Sequence, residues 1–542
     1  MATANQFGQS GNETPDQPAF LRPTLRDWLA GDRVTALLLL TVIAACVAPL
    51  WVSPLLPMMD LPQHLATVRI LHSYHDPFYA VYKYHVIDFS RTQYLSWYLS
   101  VDLLSYVMSL ETANRVVLSL YAVGLPLSLV ALLRAHRRDP ILALLAVPLV
   151  YNVFFFMGFA NYITALPLMF WALALLRRSL DEASWSRLIG MAILAVLLFY
   201  SHAQPFLLYG LLAGITVLLG ARGWHPRHWL KPALHLLPAL LAMAVWTSRS
   251  LILAGEAEWK QGHGGRNVTS AQVNFEPFGE RLQNLWTWWL DAYRGDSDEI
   301  LAVCWLGVLA VAALLARRGK EDESPWQRSK IPASMLVTTL AVYLLSPVSY
   351  KWIWPISYRF VPVLAMLALV ALPLQRWAFG RWGRYVLFGV PALLLCAASI
   401  RLHVQKAKEF SDEAGPIRQV VAQAEPGKCL ISLVYGAGSN VLNQAPLLHL
   451  GQYYVVDRGG MASFSFANFP QSPVLYPDVG GPPTFPARFE WTPERFTWAE
   501  YGNYFDYFLI RGNGEPFGRD RNKVELVTEQ GPYRLFKKKP GV

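Results

Sequence analysis

The chain has 542 residues, of which 54% are hydrophobic and only 15% are charged. Soluble proteins carry about 25% charged residues, so this composition excludes an ordinary soluble protein and indicates one with many membrane spans. The formal net charge of +10 comes mostly from short loops between apolar segments, where basic residues orient a membrane protein, so we expect no nucleic-acid partner. The four cysteines form no CxxC pair, and we expect neither a disulfide framework nor a zinc site.

Apolar segments that can cross a membrane recur through residues 33–401. A spanning helix needs about 20 mostly apolar residues. Residues 1–32 are polar and lack the apolar core of a signal peptide, so we expect a cytoplasmic tail there. The apolar segment 95–110 contains Asp102 and tyrosines, which predict an interfacial helix. We predict about eleven spans, at 33–52, 112–133, 139–157, 160–176, 187–201, 204–220, 232–254, 299–316, 331–348, 358–374 and 384–401.

The basic loops predict the orientation of these spans. The loops rich in Lys and Arg alternate along the chain with loops poor in them, as expected if all the basic loops lie on one cytoplasmic face. The basic loops are 134–139, 177–187, 221–231, 317–330 and 375–384. The loops at about 53–111 and 255–298 and the segment 402–542 then lie on the exoplasmic face. We therefore expect an integral protein of a bacterial inner (plasma) membrane, with a cytoplasmic N-terminus and a periplasmic or extracellular C-terminal domain.

The C-terminal segment 402–542 shows the pattern of a small α/β domain. Residues 411–425 have helical spacing, and the apolar runs 428–435 and 505–512 predict strands. Residues 523–538 predict a hairpin that turns at Gln530 and Gly531. The fold predicted for the whole chain is a polytopic α-helical membrane protein with this exoplasmic domain.

The first exoplasmic loop places two titratable residues, Asp60 and His64, directly after the first span. Pro62 suits the first turn of a helix, so the Asp60 carboxylate either caps that helix or is held at the rim of a cavity by it. Almost no ionisable residue lies inside the predicted spans, and no inverted repeat is evident. Both absences count against a transporter and favour chemistry at the outer membrane surface.

Other candidate residues also lie on the exoplasmic side. His202 ends the fifth span, where it is either structural or part of a site. His263 and Arg266 lie in a glycine-rich loop that is either a solvated loop or a lid over a bound substrate. Lys351 and Arg359 flank the outer end of the tenth span, where cations either reach lipid headgroups or hold the phosphate of a lipid-linked substrate.

This layout resembles the GT-C superfamily of membrane glycosyltransferases, which use polyprenyl-phosphate-linked sugars on the exoplasmic side. Asp60 matches the acidic residue that follows the first span in that superfamily, although Met59 and Leu61 stand where a second acidic residue is common. The region 62–110 is similar to its two juxtamembrane helices. The segment SYRF at 357–360 is similar to its late-span arginine segment, and the ending FDYFLIRG…YRLFKK resembles the tail domain of bacterial members.

The resemblance implies an inverting glycosyltransferase of cell-envelope glycan biosynthesis. Asp60 would be the general base, His64 and His202 would orient it or the acceptor, and Lys351 and Arg359 would bind the lipid phosphate. The partners would be membrane lipids, a polyprenyl-phosphate-linked sugar donor and a glycan, lipid or protein acceptor. A Mg or Mn ion is the one cofactor left open. Two alternatives remain: a transporter or flippase of a lipid-linked or polar substrate, and a non-catalytic GT-C-like envelope assembly protein.

Overall fold

The computed structural model describes residues 32–220, 227–261, 273–317, 325–350, 353–469, 471–477, 480–486 and 488–541. Three predicted site residues, His263, Arg266 and Lys351, lie outside these ranges, and their predicted roles stay predictions.

Helices make up most of the chain up to residue 421. They are α1 (Arg33–Ala45), α2 (Leu61–His72), α3 (Ser96–Ser105), α4 (Leu110–Ala135), α5 (Val153–Phe156), α6 (Ala160–Asp181), α7 (Trp185–Ser201), α8 (Ala203–Gly220), α9 (Arg227–Ala233), α10 (Leu237–Gln261), α11 (Phe278–Thr287), α12 (Ser297–Leu315), α13 (Pro325–Leu345), α14 (Val361–Ala371), α15 (Val390–Ala414) and α16 (Ile417–Val421). A last short helix, α17 (Tyr453–Arg458), lies within the C-terminal domain.

Within the described residues, seven helices are long and apolar enough to cross a membrane, and three shorter apolar helices accompany them. This protein is therefore an integral membrane protein. Ten of the predicted spans overlap such helices, but the exact count of about eleven is not confirmed. The segment 139–157 differs, because it folds as a 3-10 helix at Pro140–Ala146 followed by α5.

The break in the segment 139–157 has a local cause. Pro148 lacks a backbone donor and cannot continue a helix, and the side chain of Asn152 accepts a hydrogen bond from the backbone N–H of Phe154 to begin α5. The whole segment is buried. Irregular backbone is tolerated at membrane depth only where protein surrounds it, and the bundle provides those surroundings here.

A buried ionic cluster joins the first and last long apolar helices. Nε of Arg384 lies 2.5 Å from Oδ2 of Asp139, and Nη2 of Arg384 lies 2.7 Å from Oδ2 of Asp32. The indole of Trp377 also donates to Asp139, at 2.7 Å. Arg384 is thus a partner of two buried carboxylates, which a buried guanidinium requires, and it ties the ends of α1 and α15 to the segment before Pro140.

The connection between α1 and α4 contains both predicted juxtamembrane helices, as α2 and α3. The two helices pack against each other, and Nδ1 of His72 in α2 lies 2.9 Å from Oδ1 of Asp102 in α3.

The C-terminal domain contains a five-stranded mixed sheet of β6 (Cys429–Val434), β7 (Met461–Ala462), β9 (Tyr507–Arg511), β10 (Val524–Gln530) and β11 (Tyr533–Lys538), in the order β10-β11-β9-β6-β7. β6 pairs in parallel with β7 and β9, and β11 pairs antiparallel with β9 and β10. The predicted strands and hairpin are present in it as β6, β9, β10 and β11.

This domain is docked directly on α2 and its following loop. β1 (Val86–Ile87) of that loop pairs antiparallel with β8 (Val474–Leu475) of the domain. The guanidinium Nε of Arg69 in α2 donates to the carbonyl of Val456, at 2.9 Å. Two further short sheets lie outside the domain and pair β2 (Val273–Asn274) with β4 (Ser349–Tyr350) and β3 (Ala316–Arg317) with β5 (Arg376–Trp377). The docking brings side chains of the C-terminal domain to the start of α2.

Candidate functional site

Asp60 immediately precedes α2, and its carboxylate makes no capping hydrogen bond to that helix. Its position is fixed by the backbone instead. The N–H of Met59 donates to the carbonyl of Phe156 at 2.8 Å, and the N–H of Asp60 donates to the carbonyl of Met157 at 3.2 Å. The Asp60 side chain is only 14% exposed. A rigid backbone therefore presents a carboxylate whose oxygens are not used for capping.

Gly158 makes this close approach of two backbone segments possible. Its φ is +84°, and a Cβ placed there would lie 2.6 Å from the backbone nitrogen of Asp60. A side chain at this position would meet both a steric clash and an unfavourable backbone conformation. Only glycine at position 158 therefore allows the backbone of Asp60 to lie this close to the turn after α5.

His64 lies one turn into α2 and joins three neighbouring segments. Its Nδ1 is 2.6 Å from the hydroxyl of Tyr98 in α3, and its ring hydrogen-bonds the backbone of Gly158. Burial lowers the pKa of His64 to about 3, so the ring is neutral at physiological pH. These contacts pack His64 between the start of α2, α3 and the turn at Gly158.

His449, from the C-terminal domain, approaches the carboxylate that α2 presents. Its Nε2 lies 3.6 Å from Oδ1 of Asp60. Its Nδ1 lies 2.7 Å from Nε2 of Gln63. Gln63 is itself held in one orientation, because its Nε2 donates to the carbonyl of Phe464 at 2.5 Å and its Oε1 accepts from the N–H of Phe466 at 3.0 Å.

The orientation of Gln63 decides which nitrogen of His449 carries the proton. The Gln63 amide donates to Nδ1, so Nδ1 must be the acceptor and the proton of a neutral ring lies on Nε2. Burial lowers the pKa of His449 to about 4, so the ring is neutral. His449 therefore directs an N–H toward the Asp60 carboxylate.

The Asp60 carboxyl group has a strongly raised pKa of about 8. Burial is the main cause, and the nearby carboxylate of Glu490 adds to it. The guanidinium of Arg359 acts in the opposite direction and lowers the pKa. A carboxyl group with a pKa near neutrality is suited to taking up and releasing a proton.

Arg359 lies at the start of α14 and is only 8% exposed. Its Nη1 is 3.2 Å from Nε2 of His202, and its guanidinium carbon lies 4.7 Å from the ring centre of Phe159. The hydroxyl of Tyr162 donates to its backbone carbonyl. Nε of Arg359 has no hydrogen-bond partner among the described residues. A buried guanidinium with a free donor is suited to receive an anion.

A small, partly open cavity lies beside His449. It is formed between α2 and the C-terminal domain, and polar side chains predominate in its wall. The described residues that line it are Gln63, Ser432, Val434, Leu448, His449, Gly451, Gln452, Ser463, Phe464 and Glu490.

The described residues contain no group of three or more His, Cys, Asp or Glu side chains that could hold a metal ion.

Of the predicted site residues, the structure places Arg359 against His202 and within electrostatic reach of Asp60, and it places His64 one turn along α2, against Tyr98. Four residues of the site were not predicted: Gln63, Gly158, His449 and Glu490. Gly158 carried a sequence signal, since a glycine directly after an apolar segment marks a tight turn. His449 and Glu490 carried none, because they lie 389 and 430 residues from Asp60 along the chain.

No family model matches this chain, and no curated protein matches it. Its structure is similar to crystal structures of ArnT from Cupriavidus metallidurans. For the apo state the TM-score is 0.54 at 11% identity, over 94% of this chain and 98% of that one. For ArnT bound to undecaprenyl phosphate the TM-score is 0.56 at 11% identity, over 96% of this chain and 99% of that one. The chain therefore shares the fold of ArnT over nearly the whole length of both proteins.

Proposed function

We propose that this protein transfers a sugar from a polyprenyl-phosphate-linked donor to an acceptor hydroxyl at the exoplasmic face of the membrane. One observation carries the proposal: the Asp60 carboxyl group has a raised pKa, lies 3.6 Å from Nε2 of His449, and interacts electrostatically with the buried guanidinium of Arg359. The GT-C fold, and the binding of undecaprenyl phosphate by the structurally similar ArnT, support a donor of this class.

In the proposed reaction, Asp60 accepts the proton of the acceptor hydroxyl. The acceptor oxygen forms a bond to the anomeric carbon while the bond from that carbon to the phosphate oxygen breaks, and the electron pair leaves with polyprenyl phosphate. Attack opposite to the departing phosphate inverts the anomeric centre, and one base suffices for it.

Arg359 stabilises the charge that builds on the departing phosphate. Its buried side chain acts in surroundings of low dielectric, where a charge-assisted hydrogen bond is stronger than in water. His202 and the ring of Phe159 hold the guanidinium in place. In the ionised state of Asp60, the N–H of His449 stabilises the carboxylate and steadies its orientation.

Binding and transfer together test the proposal, in full-length protein reconstituted in nanodiscs. Arg359→Ala is expected to weaken undecaprenyl phosphate binding by roughly tenfold or more, since hydrogen bonds to charged groups contribute about 1.5–3 kcal/mol. Arg401→Ala, which changes an exposed arginine of α15, is the matched control and is expected to bind normally. Equal binding by Arg359→Ala and wild type would contradict the phosphate role.

Transfer is measured in membranes supplied with radiolabelled polyprenyl-phosphate sugars. Asp60→Asn is expected to reduce transfer by about 10²–10⁴-fold while lipid phosphate binding persists. Movement of the labelled lipid across the bilayer without transfer of its sugar would instead identify a flippase. Near-normal transfer by Asp60→Asn would remove Asp60 from the role of base.

A further inference from the structure

We propose that an exposed apolar side of α11 inserts into the outer leaflet of the membrane, and that this contact with lipid helps to hold Arg359 in place. The partner is the acyl-chain region of ordinary phospholipids, just below their headgroups. The link to Arg359 rests on the proposed function and deepens it, whereas the contact with lipid stands without it.

One side of α11 packs on the protein at the end of an apolar helix. Nη1 of the buried Arg281 donates to the carbonyl of Tyr343 at 2.8 Å, and the hydroxyl of Tyr343 donates to the carbonyl of Arg281 at 2.6 Å. Tyr343 lies two residues before the end of α13, whose segment Ser329–Leu345 is apolar. The two hydrogen bonds therefore hold α11 at the level where the hydrocarbon of the membrane ends.

A second side of α11 exposes large apolar side chains. Phe278, Leu282 and Trp286 recur every four residues and so form one row along the helix. Phe278 is 63% exposed and Leu282 is 48% exposed. Neighbouring segments extend this row, because β2 leads directly into α11 and pairs with β4. The exposed apolar residues together form the α11 patch, which consists of Val273, Phe275, Phe278, Leu282, Trp286, Tyr350, Ile353 and Trp354.

The remaining side of α11 is polar. Gly279, Glu280 and Gln283 are exposed there. At about 100° per residue, the side that packs on protein, the apolar row and the polar side follow one another around the helix axis. A helix in the plane of a membrane surface needs this arrangement, since it meets protein on its flank, acyl chains below and water above.

Lipid is the partner that the surroundings of the α11 patch favour. Because α11 is bonded to the last turn of α13, the patch adjoins the exposed Leu345 at the end of that apolar helix. A contact of the patch with lipid would thus continue the contact that the membrane helices already make. Trp286 and Trp354 also fit, because tryptophans are enriched at the level of lipid headgroups. Exposed apolar patches are typical of sites that bind a protein or a membrane, and this position selects the membrane.

The α11 patch connects to Arg359 through Trp354. The ring of Trp354 is exposed in the patch and packs edge-on against that of Trp288, with the ring centres 5.5 Å apart. The backbone carbonyl of Trp354 accepts a hydrogen bond from Nη2 of Arg359 at 3.4 Å. Trp354 therefore belongs both to the proposed lipid contact and to the surroundings of the guanidinium.

A second connection runs through Tyr358, which precedes Arg359 in the chain. The ring of Tyr358 stacks on that of Trp288, the C-cap residue of α11, with the ring centres 4.4 Å apart. The hydroxyl of Tyr358 donates to the carboxylate of Glu276 and accepts from Nδ2 of Asn284, which lies 3.1 Å away. When lipid holds α11 in place, these contacts fix the backbone that carries Arg359.

Photocrosslinking tests the contact with lipid. We place p-benzoylphenylalanine, which inserts into C–H bonds, at position 282 of the full-length protein in phosphatidylcholine nanodiscs without added polyprenyl lipid. The matched control carries the same group at position 280, on the polar side of α11. Mass spectrometry should find phospholipid adducts several times as often at position 282 as at position 280. Equal frequencies at the two positions, or adducts with polyprenyl lipid alone, would overturn the inference.

Leu282→Glu tests the link to Arg359. A carboxylate is costly among acyl chains, so it should draw α11 away from the lipid and loosen the contacts of Trp354 and Tyr358. We expect undecaprenyl phosphate binding to weaken about fivefold or more, as for the loss of one hydrogen bond. Gln283→Glu adds the same charge on the polar side, and Leu282→Trp keeps the patch apolar, so both should bind as wild type does. Equal binding by Leu282→Glu and wild type, or an equal loss in Gln283→Glu, would contradict the link.

Tyr358→Phe tests the same link without a new charge in the patch. It removes the hydroxyl that joins Glu276 and Asn284, so it should weaken undecaprenyl phosphate binding about fivefold. Phospholipid adducts at position 282 should persist in this variant, which also shows that it is folded. Undiminished binding of undecaprenyl phosphate would show that Arg359 does not depend on α11.

These experiments separate the inference from the proposed function. If phospholipid adducts form at position 282 while wild type neither binds undecaprenyl phosphate nor transfers a sugar, the proposed function fails and the lipid contact remains. If undecaprenyl phosphate binds and transfer occurs while positions 282 and 280 give equal adducts, the proposed function stands and the lipid contact of α11 fails.

Discussion

His449 of the C-terminal domain places its Nε2 3.6 Å from Oδ1 of Asp60, which begins the first juxtamembrane helix. The two residues belong to different parts of the chain, and the docking of the domain on α2 brings them together. The candidate site is therefore complete only when the domain is seated on the membrane helices. The ionisation of Asp60 and the tautomer of His449 are therefore the first properties to test.

Transfer activity should rise with pH. The pKa of Asp60 is raised to about 8, so the carboxyl group is mostly protonated at pH 7 and cannot accept a proton. Below this pKa, kcat/KM should fall about tenfold for each pH unit. Glu490→Gln removes one cause of the raised pKa, so it should move the curve to lower pH, and Glu494→Gln should leave it unmoved. A profile that is flat between pH 6 and 9 would refute Asp60 as the base.

Stability should depend on pH through the same carboxyl group. The pKa in the folded protein, about 8, is above the ordinary value of 3.8. The stability that the bound proton contributes is present below about pH 3.8 and is lost as pH rises to about 8. Asp60→Asn cannot ionise, so its advantage in unfolding free energy over wild type should grow through this window, by at most about 1.4 kcal/mol per pH unit. Thermal melting at pH 5 and pH 8.5 measures it, and a constant difference would contradict the burial of Asp60.

Gly158→Ala should disable the site. The new Cβ would press on the backbone nitrogen of Asp60, at 2.6 Å, and the φ of +84° would be strained, at a cost of about 1–3 kcal/mol. Displacement of Asp60 should reduce transfer about 10²-fold. Gly210→Ala is the matched control, since its Cβ meets no atom within 4 Å, and it should retain activity and stability. Equal activity of the two variants would show that the position of Asp60 does not depend on this contact.

Gln63→Leu should allow the neutral ring of His449 to carry its proton on either nitrogen. The variant keeps a similar volume but removes the donor to Nδ1, so the proton can move from Nε2 to Nδ1. We expect kcat to fall roughly 5- to 10-fold, as the loss of a hydrogen bond of about 1 kcal/mol predicts. Solid-state ¹⁵N NMR of histidine-labelled protein should show an altered tautomer signal, which a merely structural role would not produce. Gln405→Leu, on the exposed side of α15, serves as the control.

Local patterns in the sequence predicted the membrane helices and the strands of the C-terminal domain. Length and hydropathy specify a spanning helix, and alternation with turn residues specifies a strand, so both are readable without partners. The continuous spanning helix predicted at 139–157 is not present. The hydropathy of the segment fits a span, but Pro148 and Asn152 break the helix. Arg384 was counted as a loop charge, yet it lies in a buried cluster with Asp32 and Asp139.

The sequence by itself determined that this protein lies in a membrane, that a helix begins directly after Asp60, and that Arg359 begins a late apolar helix. Only the tertiary structure decided that His449, Gln63 and Glu490 surround Asp60 and that His202 holds Arg359. The reason is physical: hydropathy and helix starts arise from neighbours along the chain, whereas pKa values, tautomers and cavities arise from groups that folding brings together through space.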